Sequence, residues 1–203
     1  MVTVIDYGAG NLQSVTSALG YLGCRTAVTS DPDEIARAGV LVLPGVGAFG
    51  ECMKKLNASG IAGAIKSAVG RGSYLLGICL GLQLLFDSSD EFGLHDGLGL
   101  VRGRVEKLDA GGLKLPHIAW TSIDVNPSSR LMSGIKSGEY FYFVHSYRAI
   151  AQDSADEAAS AEYGERFTAA VEKGNIFATQ FHPEKSGSAG LRLLKNFLFL
   201  AHR

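Results

Sequence analysis

The chain lacks any apolar stretch approaching the ~18 residues of a membrane-spanning helix. It also lacks a basic leader followed by an apolar core, so the expectation is a soluble, cytoplasmic protein with neither secretion nor membrane contact. Neither sign of charge dominates: 19 basic residues face 20 acidic ones, a net charge of −1. No basic run is present, which argues against nucleic acid as a partner. Cysteine is scarce, with three residues (Cys24, Cys52 and Cys79) widely spread and no C-x-x-C pair. That pattern excludes a disulfide framework and a thiolate metal centre. Cys24 and Cys52 read as small buried hydrophobes. His95, His117, His145 and His202 have no ligand-like spacing, so no metal is expected. Linkers, repeats and low-complexity segments are also absent. With 46% hydrophobic residues in 203, one domain spanning 1–203 with a full core is the simplest organisation.

What is present alternates in β-α fashion through the first half. "VTVID" (2–6) reads as a buried strand, and "NLQSVTSALGYLG" carries Leu12, Val15, Leu19 and Leu22 at helical spacing. "RTAVTS" is a short strand, and Asp31 before Pro32 marks a helix start. "VLVLP" (40–44) is a continuous apolar run, as in a parallel strand covered on both faces. "GIAGAIKSAVGRG" reads as a helix and "SYLLGI" as the next strand. The fold class is therefore α/β, in three layers, with a mostly parallel central sheet flanked by helices. Beyond residue 87 the segments "GLVRGRVEKL", "LKLPHIAWTSIDV", "EYFYFVHSYRAI" and "AEYGERFTAAVEKGNIFATQFHP" are strand-rich, which predicts antiparallel or mixed additions to the sheet. "AGLRLLKNFLFLAHR" is an amphipathic closing helix.

Three motifs carry chemistry. "GVGAFG" (45–50) matches G-x-G-x-x-G after a strand. A dinucleotide site would need an acidic residue at the end of the next strand, and none is there. Such a turn still offers backbone N–H groups at the carboxyl edge of a parallel sheet. "GICLG" (77–81) has the form of a nucleophile elbow. Gly77 and Gly81 would give steric clearance for Cys79 at a sharp strand-to-helix turn. The helix starting at Leu80 would aim its N-terminus at the sulfur, favouring thiolate, and the Leu80 N–H could bind an oxyanion. In "QFHPEKS", His182 and Glu184 flank Pro183. Residues i and i+2 of an extended segment share a face, so the carboxylate can orient the imidazole while the other ring nitrogen meets a thiol. Cys79, His182 and Glu184 thus form a candidate triad for acyl transfer.

"GICLGLQLLF" together with "QFHPEKS" resembles the class I, triad-type glutamine amidotransferases, and "VLPGVGAFG" resembles their oxyanion segment. Within that family, "IDYGAGNLQSV" and "YFYFVHSY" resemble the glutaminase subunits of imidazole glycerol phosphate synthase. The chain departs from the family's usual P-H-M-G-W-N at Ala119 and Thr121. The resemblance implies a flavodoxin-like fold. It also implies hydrolysis of L-glutamine to glutamate and ammonia through a cysteinyl thioester on Cys79, with His182 as acid and base and Glu184 as its orienter. The oxyanion would be held by Leu80 and the Val46–Gly47 turn, and substrate by Gly45, Gln83, Ser146 and Tyr147. No cofactor is implied. The partner implied is a separate (β/α)₈-barrel cyclase subunit, forming a heterodimer that receives the ammonia for histidine biosynthesis. Two alternatives stay open: a glutaminase subunit of an anthranilate or aminodeoxychorismate type synthase, disfavoured by "DYGAGN", and a stand-alone cysteine hydrolase, disfavoured by Gln83 and the His-x-Glu spacing. A non-catalytic binding subunit would have no need of the three triad residues.

Overall fold

The computed structural model describes residues 1–202. Its first half is β1 (Val2–Ile5), α1 (Leu12–Tyr21), β2 (Thr26–Thr29), α2 (Pro32–Arg37), β3 (Val40–Gly45), α3 (Phe49–Ala58), α4 (Ile61–Gly70), β4 (Tyr74–Cys79) and α5 (Leu80–Gln83). Each strand is followed by a helix that returns the chain over the sheet, which makes β2, β1, β3 and β4 parallel neighbours in that order. The apolar runs of β1, β3 and β4 lack alternation because both faces of the sheet are covered. Asp31 starts α2 as expected: its side chain accepts the Asp33 N–H at 2.8 Å, with Pro32 in the first turn.

The second half is β5 (Ser88–Ser89), β6 (His95–Asp96), β7 (Gly103–Lys107), β8 (His117–Val125), β9 (Tyr140–His145), β10 (Tyr147–Ala151), β11 (Glu157–Tyr163), β12 (Glu165–Lys173), β13 (Ile176–Thr179) and α6 (Gly187–Ala201). The expectation of antiparallel or mixed additions holds: most of it is antiparallel, and β13 rejoins the parallel sheet beside β4. β12 is antiparallel to β13 along its C-terminal half and to β11 along most of its length. From β11 the chain of pairings runs on to β8 and β9. That branch carries β9 across to the segment that follows β13, where the Tyr142 carbonyl accepts the His182 N–H at 2.9 Å.

Two apolar cores fill the layers. One packs α1 and α6 against the sheet with Leu19, Phe177, Phe181 and Phe197. The other packs α2, α3 and α4 on the opposite face with Ile35, Leu56, Ile65 and Leu75. Helix α3 is absent from the sequence reading, where the glycine run drew attention to a turn. Its buried Phe49, Cys52, Met53 and Leu56 nevertheless fall at i, i+3, i+4 and i+7. Cys24, expected buried, is only partly so, because it lies past the end of α1 before β2 begins.

The clearance assigned to the elbow glycines is spatial. A Cβ on Gly81 would lie 1.9 Å from the Leu43 carbonyl oxygen, and one on Gly77 would lie 2.7 Å from the Gly81 carbonyl oxygen. Gly20, on the exposed side of α1, has open space. Gly81→Ala is therefore expected to cost about 3 kcal/mol or to prevent folding, while Gly20→Ala should stabilise by about 0.5–1 kcal/mol. Urea unfolding of both variants checks the contrast.

Candidate active site

The parallel strands end on one edge, and β3, β4 and β13 deliver their C-terminal residues there. Cys79 closes β4 at φ 57° and ψ −111°, a conformation that costs a non-glycine residue about 1–3 kcal/mol. The four-residue α5 follows at once, so the N-terminal dipole expected to act on the sulfur is that of a single turn. Cys79 is not raised into solvent as the elbow pattern suggested. It is 7% exposed and forms part of the wall of a cavity of about 300 Å³. Two groups cover it: the Val144 carbonyl, 3.7 Å from Sγ, and the Gln180 amide nitrogen, 3.9 Å from Sγ.

His182 and Glu184 leave β13 as an extended residue and a short 3₁₀ turn at Pro183–Lys185. The His182 ring nitrogen Nδ1 lies 2.8 Å from Glu184 Oε1, and the Glu184 side chain is 1% exposed. The His182 carbonyl accepts the Ser186 hydroxyl at 2.6 Å, and Ser186 Oγ in turn accepts the Tyr142 N–H at 3.0 Å. The imidazole is thereby fixed from both its backbone and its ring. Burial would lower its pKa, but hydrogen bonding to Cys79 and to Glu184, with their negative charge, wins and pushes it up to about 9.

The structure brings Cys79, His182, Leu80 and Gln83 to one cavity, with Val46 and Gly47 on one side and Ser146 and Tyr147 on another. Glu184 stands behind His182 and does not line it. Gly45 does not line it either. It pairs with Cys79 across β3 and β4, and a side chain there would strike the Tyr7 hydroxyl at 2.6 Å. Gln83 donates from Nε2 to the Tyr147 carbonyl and to Gln180 Oε1, both at 2.9 Å.

A family model, glutamine amidotransferase class-I, matches residues 3–201. The chain belongs to the class-I glutamine amidotransferases. Among its relatives, imidazole glycerol phosphate synthase subunit HisH of Syntrophotalea carbinolica is 49% identical over 97% of this chain and 98% of its own. The subunit of the same name from Aquifex aeolicus is 47% identical over 96% and 94%. Of solved structures, PurLQS from Thermotoga maritima superposes with a TM-score of 0.76 at 22% identity, covering 98% of this chain and 97% of that one. A second, described as a glutamine amidotransferase, gives 0.75 at 21% identity with full coverage of both chains. These two likenesses show the shared fold.

The sequence patterns did not point to two residues at this cavity. Gln180 is fully buried and joins Gln83 to the sulfur; it sits in the bend that leads from β13 to His182. Glu91 lines the cavity and carries no motif signal, because it arrives on an irregular segment 12 residues after Cys79.

His145 lines the cavity and forms a neutral pair with His117 behind it. His145 Nδ1 lies 2.9 Å from the Tyr147 carbonyl, so it holds the proton and donates. Its Nε2 then accepts from His117 Nδ1 at 3.1 Å, and His117 Nε2 accepts the Thr121 hydroxyl at 2.8 Å. Burial lowers the two pKa values to about 3 and about 4. The unfolded chain takes up these protons near pH 6.5 while the folded chain refuses them down to about 4. Stability should be level with respect to this pair above pH 6.5 and fall as pH drops from 6.5 to 4. In His145→Gln the slope over that window should be shallower by about one proton, ~1.4 kcal/mol per pH unit, measured by urea unfolding at each pH.

Proposed function

We propose that this chain is the glutaminase subunit of an imidazole glycerol phosphate synthase, with Cys79, His182 and Glu184 as its catalytic machinery. One observation carries the reading of the site: a buried imidazole whose Nδ1 lies 2.8 Å from a buried carboxylate, at the edge of a cavity that the Cys79 sulfur also lines. A cavity of about 300 Å³ is at the small end of ligand pockets and suits a free amino acid.

L-glutamine enters with its amide over Cys79. Sγ attacks the amide carbon, and negative charge develops on the carbonyl oxygen. The Leu80 N–H and an N–H of the Val46–Gly47 turn stabilise it. His182 gives its proton to the departing ammonia, leaving a γ-glutamyl thioester. The neutral imidazole then takes a proton from water, which attacks the thioester and releases glutamate. Glu184 fixes the ring so that Nε2 faces the sulfur throughout. Gln83, Ser146 and Tyr147 shape the pocket around the amino-acid end. Among the described residues Glu91 is the one carboxylate that lines the cavity, and it pairs with the α-ammonium of the substrate.

Ammonia released in water becomes ammonium, which is no nucleophile, so the product must pass directly to a partner. Trp120, Ile118 and Tyr140 expose 52%, 58% and 60% of their surface on β8 and β9. Trp120 pairs with Tyr142 across these strands, and the Tyr142 ring lies 6.4 Å from the His182 ring. This apolar row supports docking of a cyclase subunit on that face, with Ala119 and Thr121 in the same strand.

With the cyclase partner and its nucleotide substrate present, Cys79→Ala should abolish glutamine-dependent synthesis and leave ammonia-dependent synthesis intact. Loss of both in a folded complex would contradict the division of labour. Glu184→Gln should slow glutamine hydrolysis less than His182→Ala, because Glu184 orients a proton carrier without carrying the proton. Steady-state glutamate release by the three complexes decides the order, and His182→Ala activity equal to wild type would remove the triad.

A further inference from the structure

The turn that offers an oxyanion donor has few supports. Gly47 adopts φ +107° with no heavy atom within 4 Å of where a Cβ would stand, and Val46 is 47% exposed. On its inner side, the Cys52 thiol donates to the Val46 carbonyl at 3.7 Å. Downstream the turn runs straight into α3. Ala48 occupies the N-cap position of that helix at φ −90° and ψ 139°, and its side chain offers no acceptor. The missing acceptor comes from across the cavity: Glu91 Oε2 takes the Phe49 N–H at 2.6 Å, 42 residues away in sequence. Glu91 is held for this by its own N–H, which Ser89 Oγ accepts at 3.2 Å. The next residue, Phe92, sits at φ 57°, a strained position for a bulky side chain. Among the described residues Glu91 Oε1 has no protein partner, and Glu91 lines the cavity.

We propose that Glu91 is a positioning residue as well as a substrate ligand: it couples capture of the substrate's ammonium group to the setting of the oxyanion turn. The proposal rests on the reading of the cavity as a glutamine site. One carboxylate oxygen stays on the Phe49 N–H and fixes the start of α3. The other takes the α-ammonium. A carboxylate held at both oxygens loses its rotational freedom once, so each contact strengthens the other. The gain falls on the Gly47 end of the turn, where charge develops only in the transition state. An amide substrate without an α-ammonium would therefore lose turnover as well as affinity.

Glutamine hydrolysis by the complex with the cyclase subunit separates the two roles. Glu91→Gln keeps an acceptor for Phe49 but loses the charge that captures the ammonium, so KM should rise about 30-fold and kcat should fall about threefold. Glu91→Ala loses both, so kcat should fall a further five- to tenfold, about the worth of a helix cap. Ala48→Ser, added to Glu91→Ala, supplies a local cap and should restore kcat without restoring KM. Glutaramate, which has the amide and no α-ammonium, should show reduced kcat with wild type. Equal kcat for Glu91→Gln and Glu91→Ala, or no recovery with Ala48→Ser, overturns the coupling. Continued glutamate release by a Cys79→Ala complex would overturn the glutaminase site itself.

Discussion

At Cys79 the chain must pass from a buried parallel strand into a helix within one peptide, at φ 57° and ψ −111°. Nothing local favours that backbone, so the surroundings must impose it. β3 and β13 grip β4 on either side up to its last residues. Gly77 and Gly81 let the following turn fold back against Leu43 and the strand. Leu80, Leu82 and Leu85 anchor the far side in the core. The strain is thus offset by burial of apolar side chains immediately around it. What results is a sulfur at the floor of a cavity, shielded on one side and open to a small ligand on the other.

Two sets of buried histidines show how the same fold handles proton-bearing groups differently. His182 faces a carboxylate and a sulfur, and its charge is favoured despite burial. His117 and His145 face each other, a hydroxyl and a carbonyl, so burial acts unopposed and they stay neutral. Only the first arrangement can move a proton at neutral pH. The second fixes tautomers: its chain of hydrogen bonds ends on the Tyr147 carbonyl, which also accepts from Gln83. The neutral pair is therefore part of the frame around the cavity, while the charged pair has the role proposed for it in the chemistry.

The parallel half of the fold was readable because its signals are local. Apolar runs, a helix period and an Asp-Pro cap each specify one element, and the βαβ rule then orders them. Helix α3 was hidden because a glycine motif overlapped its first turn. The return of β13 to the parallel sheet has no local signature, since it depends on which edge β12 presents after the antiparallel excursion. At the site, Cys79 between its glycines and His182 spaced from Glu184 carry geometry in their spacing. Glu91 and Gln180 do not: one reaches the cavity on an irregular segment, and the other matters only through the side chains it touches. Gly45, expected to contact substrate, does not line the cavity, and the constraint observed there is the Tyr7 hydroxyl beneath it.

The chemistry proposed for this cavity passes through a covalent bond between Cys79 and the glutamine side chain. Acid quenching of the enzyme–cyclase complex during turnover with L-glutamine, followed by peptide mass spectrometry, observes it directly. A γ-glutamyl group on the peptide bearing Cys79, and on neither of those bearing Cys24 or Cys52, is the predicted result. Ammonia release with no adduct, or with the adduct elsewhere, would contradict the account.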